Sequence, residues 1–149
     1  MTTKAAAATS PFARFAEETK TDETEIPVEL VSRTGKPYLL ADGTTRLTWW
    51  VKGEYSAQYK QNARAVTNSI IKKAQLGDEE FDADESDQIT ADKVAGAVTR
   101  WNLEDADGQP VPFTKANVIA CLLEAPWFVP QVQKKVQGHA RFFGPSSGA

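Results

Sequence analysis

Sulfur and imidazole are scarce in this chain: one cysteine, one histidine and one methionine. Cys121 alone cannot close an internal disulfide, and Cys121 with His139 cannot supply the clustered ligands of a structural zinc site. No metal and no cofactor are therefore expected. Long apolar runs are missing too. The longest, Val118 to Leu123, falls far short of the roughly 18 to 20 residues that cross a bilayer, so no membrane partner is expected. Nor is there an excess of positive charge. A formal net charge of −3 sets up no field that would gather nucleic acid. Met1 to Thr9 holds Lys4 and Ala5 to Ala8 but no leucine-rich signal core, which points to the cytoplasm of the cell that makes the protein. Phosphate-cradling glycine motifs are absent, leaving nucleotide binding without support. Three partial motifs fail on inspection. Asp82, Asp84 and Ser86 match the start of a calcium loop, but Asp87 replaces its turn glycine and Lys93 its closing glutamate. Ser69-Ile70-Ile71-Lys72 has the form of an acylation motif without companions in the right order, and His139 has no nucleophile elbow. The chain is read as non-catalytic, with Cys121 in the core and His139 at the surface near a helix end.

What is present is a set of local punctuation marks. Ile26, Val28 and Leu30, then Leu47, Trp49 and Val51, alternate with polar residues as half-buried strands do. Thr34-Gly35-Lys36-Pro37 and Asp42-Gly43 supply the turns between them. Ser56 can cap a long helix in which Tyr59, Ala63, Val66, Ile70 and Ala74 form one stripe, and its other face carries Lys60, Arg64, Lys72 and Lys73 with no acid. Gly77 to Gln88 reverses the sign, with acids and no Lys or Arg. The stretch from Trp101 to Phe128 organises the C-terminal half of the chain. A helix from Ala91 to about Asn102 is expected before it, with Thr90 as cap and Ile89 and Val94 as staple. The chain then breaks at Asp107-Gly108, runs extended through Pro110-Val111-Pro112 and restarts at Thr114, capping a helix over Lys115 to Ala125. Pro126 to Val129 makes a corner, and Val129, Val132, Val136, Ala140 and Phe143 continue as a final helix weakened by Gly138.

These signals predict an α+β domain, mostly α: a small N-terminal antiparallel β-meander followed by about four helices. Residues 1–25 are read as a flexible arm, 26–143 as a single domain with an acidic linker over 76–90, and 144–149 as a flexible tail. The aromatic pairs Trp127-Phe128 and Phe142-Phe143 flank the last helix. Adjacent residues on a helix do not share a direction, so each pair offers one ring to an interface. Trp127, Phe128, Val132, Val136, Phe142 and Phe143 are the candidate partner-binding residues, with core closure as the competing reading.

Three pieces, in this order and spacing, give the chain a family likeness: Trp49-Trp50-Val51-Lys52-Gly53-Glu54-Tyr55-Ser56 with Tyr59; Trp101 with Asp107-Gly108-Gln109-Pro110-Val111-Pro112-Phe113-Thr114; and Asn117 to Leu123 with Pro126 and Gln131-Val132. On them the sequence resembles the tail assembly chaperones of long-tailed bacteriophages, over roughly Val28 to Phe143. The resemblance implies a helix-rich, non-catalytic protein of the host cytoplasm, absent from the mature virion. It also implies binding and solubilisation of the tape measure protein and recruitment of tail tube protein. The last two helices are the expected groove for a helical client; self-association is left open. Two alternatives stand beside it: a stable minor structural protein of the tail or connector, and an acidic inhibitor that imitates nucleic acid.

Overall fold

Residues alternating between a packed and a solvated face make up the first two strands. In the computed structural model, which describes residues 10–77 and 83–143, β1 (Ile26–Glu29) turns Ile26 and Val28 inward and Pro27 and Glu29 outward. It pairs antiparallel with β2 (Thr48–Val51), Val28 opposite Trp49. Between them the chain reverses twice, with bridges at Val31–Pro37 and Leu39–Arg46 and positive φ at Gly35 and Gly43. A third strand, β3 (Val98–Trp101), pairs antiparallel with the free edge of β2, giving the order β1-β2-β3. On the outer face Arg100 stacks 3.8 Å over the Trp50 ring and bonds Glu25 at 3.0 Å.

Helices cover the inner face, and the protein is α+β and mostly helical. They are α1 (Ala13–Glu18), α2 (Ala57–Gln75), α3 (Ala83–Ala95), α4 (Lys115–Glu124), α5 (Phe128–Gln137) and α6 (His139–Phe143), with a 3-10 turn at Lys20–Glu23. Two N-caps form as the sequence predicts: Ser56 accepts from the Tyr59 N–H at 3.3 Å and Thr114 from the Asn117 N–H at 3.0 Å. Gly108 takes φ +80 in the expected turn, and beyond it the Val111 carbonyl accepts from the Trp101 indole at 2.9 Å.

Several expectations are corrected. The helix expected over Ala91 to Asn102 lies earlier, at Ala83–Ala95, and Val98–Trp101 is a strand. Acidic residues at a helix start favour the dipole, so Asp84 and Glu85 open α3 inside the segment read as a linker. Thr90 does not cap; its hydroxyl donates to the Ser86 carbonyl in mid-helix. Gly96 then ends the helix, and β-branched Val98 and Thr99 suit the vacant edge of β2. The final helix breaks at Gly138 into α5 and α6. In the segment read as an arm, Asp22 is buried and accepts from the Tyr55 N–H at 2.9 Å, while Glu23 accepts from the Ala57 N–H at 2.7 Å. Residues 1–9, 78–82 and 144–149, which include the tail and part of the acidic linker, lie outside the described residues.

The core is an aromatic chain. The fully buried Trp49 ring lies 5.2 Å from Trp101 and 5.9 Å from Phe128, Phe113 stands edge-on to Trp101 at 5.4 Å, and Tyr38 meets Phe128 at 5.7 Å. All but the tilted Trp49–Trp101 pair are edge-to-face, a geometry that adds about 0.5–1.5 kcal/mol per pair beyond the buried area. Ile26, Val28, Leu122, Val132 and Val136 fill the space around them.

Candidate functional site

The residues expected to meet a partner divide sharply. Phe128, Val132 and Val136 are at most 4% exposed and belong to the core as the inward stripe of α5. Trp127 is half-buried, its indole donating to the Tyr38 hydroxyl at 3.1 Å and its ring 5.9 Å from the Arg33 guanidinium. Phe142 and Phe143 are 54% and 41% exposed. They contact each other at 5.2 Å, and Phe143 lies 5.3 Å from the His139 ring. The apolar face of α5 is packed against β1 and β2.

His139 is likewise corrected from surface to core. It is 1% exposed, and Nε2 lies 2.6 Å from the Thr24 carbonyl, which can only accept, so this nitrogen carries a proton. Nδ1 lies 3.9 Å from the Asp22 carboxylate. The Nε2–H bond to the Thr24 carbonyl fastens α6, and with it Phe142 and Phe143, to the end of the 3-10 turn. Cys121 is partly buried, and burial pushes its thiol up to about 11. Among the described residues no group of three or more His, Cys, Asp or Glu is placed to hold a metal.

A groove does open elsewhere, between α2 and α3. It has a volume of about 440 Å³, and Val66, Ile70 and Ile89 form its apolar lining. Ser69, Gln88, Asp84 and Asp92 make a polar rim, and the Lys73–Glu85 ion pair ties the two helices. Asp92 is held in turn by Lys115 at 2.7 Å. The stripe that Tyr59 to Ala74 forms is thus only partly covered: Val66 is buried, Ile70 and Ile89 are half-buried, and Ala74 is exposed. Sequence reasoning misses Ile89 because its spacing to Val94 reads equally well as a helix-start staple, and no local signal separates the two. Apolar walls with a charged rim of both signs suit the apolar stripe of a helix laid along the groove.

This is a small α+β protein whose conspicuous open feature among the described residues is a helix-flanked groove. It belongs to the YdaY prophage protein family, which matches residues 51–142 and hence α2 to α5, β3 and most of α6. The protein is phage-derived. No curated protein and no solved structure matches it.

Proposed function

We propose that this phage protein is a non-catalytic tail assembly chaperone that binds and solubilises the tape measure protein and helps recruit tail tube protein in the host cytoplasm, leaving before the virion is mature. The observation that carries the reading is the α2–α3 groove, an apolar cleft with a polar rim on a prophage-family chain. A tape measure protein is a long helical client, and an amphipathic helix anchors its apolar residues at three- and four-residue spacing into such a groove. The resemblance supports the same role through the pieces around Trp49 and Trp101 and through Asn117 to Leu123 with Pro126 and Gln131-Val132. Those pieces meet in the aromatic core, so they speak for the fold, and client contacts fall to the groove and to exposed Phe142 and Phe143.

Co-expression with the long helical protein encoded beside it tests the proposal. The soluble fraction of that client should rise with this chain and the two should co-purify. An Ile70→Asp/Ile89→Asp variant that still folds should lose both effects, and Phe142→Ala/Phe143→Ala should weaken them. A client equally insoluble with and without the chain refutes the chaperone role, and recovery of the chain from purified particles would then favour a minor structural protein of the tail or connector.

A further inference from the structure

In a chain of net charge −3, Lys134, Lys135 and Arg141 stand together and exposed, and among the described residues none enters an ion pair. The surface they make is concave. Two recesses of about 350 and 380 Å³ lie on either side of the α5–α6 junction and share Lys134, Gly138 and Arg141. The break at Gly138 sets this shape by separating the helix that carries the lysines from the one that carries Arg141. Glu29 borders one recess, but its carboxylate is taken by Arg46 at 3.2 Å and leaves the cations unanswered. The opposite charge is found on another part of the molecule. The acidic run of the sequence ends at the start of α3, where Asp84 and Asp87 are exposed and enter no ion pair among the described residues. That end of α3 borders the α2–α3 groove, whereas the cations border β1.

We propose that the Lys134–Arg141 surface receives the acidic start of α3 from a second copy of this chain. The contact is heterologous, since the two complementary surfaces sit on different elements, and each association leaves one of each open. Opposed patches of this kind attract across the screening length and set the register of docking. The inference does not rest on the client reading, although Asp84 also stands on the rim of the α2–α3 groove, and its test reads self-association with no client present.

Sedimentation of the nuclease-treated full chain over a concentration series tests it, at about 0.01 M and about 1 M salt, where the screening length is about 30 Å and about 3 Å. Mass should rise above the monomer with concentration at low salt and return to the monomer at high salt. Lys134→Glu/Lys135→Glu/Arg141→Glu and Asp84→Lys/Asp87→Lys, each checked for a native circular dichroism spectrum, should each abolish the association. Mixed together they should restore it, because the unchanged acids of the first variant meet the unchanged cations of the second and the two reversed surfaces also complement. This last result cannot come from two misfolded variants. A protein monomeric at low salt, association that survives either charge reversal, or variants that stay monomeric when mixed would each overturn the proposal. Association that disappears on nuclease treatment would assign the cations to nucleic acid instead.

Discussion

Gly53 has room for a hydrogen and little more. A Cβ there would run into the carboxylate of Asp22, which is held by the Tyr55 N–H, while the Asp22 carbonyl accepts from Gly53 itself at 2.9 Å. Overpacking against a side chain that cannot swing away costs about 1–3 kcal/mol. Gly53→Ala should therefore lower the urea midpoint by that amount of stability with an unchanged slope. In an Asp22→Ala background the same substitution should cost less, and a double-mutant cycle measures the difference. Additive costs would show that the close approach is not what Gly53 is for. Neither Asp22 nor His139 announced itself in the sequence. One acid among several in a polar segment and a lone histidine near a glycine both read as solvated, and only the packing of the 3-10 turn against α6 buries them together.

At the scale of elements, two threonines separate what local rules decide from what they do not. Thr114 caps α4 with its hydroxyl oxygen, whereas Thr90, an equally good cap by its neighbours, lies inside α3 with its hydroxyl on the Ser86 carbonyl. Thr114→Ala should cost about 1 kcal/mol. Thr90→Ala should be neutral or stabilise by a few tenths of a kcal/mol, since Ala is the better residue in an exposed helix interior. Thermal unfolding of the two variants checks both, and a comparable loss in each would mean that α3 starts at Thr90 after all. The helix start was misplaced because Ile89, Thr90 and Val94 satisfy the staple and cap spacing. Those spacings arise from α-helical geometry itself and recur by chance inside a helix.

Over the whole molecule, the turn before β1 is tied to the domain by carboxylates. The Ala57 N–H, and secondarily Lys52, hold Glu23 below the ordinary glutamate range; the Thr99 hydroxyl at 2.5 Å, and then Arg100, do the same for Glu25. A carboxyl lowered in the folded state contributes stability above its unfolded value, here near 4.5, and loses that contribution as pH falls through the lowered folded value. Melting temperature should thus decline on acidification from about pH 5 to about pH 3. A Glu23→Gln/Glu25→Gln variant should start lower at neutral pH and decline less steeply. An identical pH profile in the two proteins would show that these contacts do not form in solution.

The strand alternation at Ile26 to Val28, the turns at Gly35, Gly43 and Gly108, and the caps at Ser56 and Thr114 were legible in the sequence, because each is decided within a few residues by sterics or by one hydrogen bond. Of the candidate partner residues, Phe142 and Phe143 stayed exposed while Phe128, Val132 and Val136 went inside. No local rule separates them, since an apolar stripe has the same spacing whether a sheet or a partner covers it. Tertiary structure alone decided that Val98 to Trp101 fills the edge of β2, that the sheet covers α5, and that α2 and α3 leave Ile70 and Ile89 in an open groove. The physical reason is that sequence spacing states which faces of an element are apolar, while their burial depends on the reach and placement of elements distant along the chain.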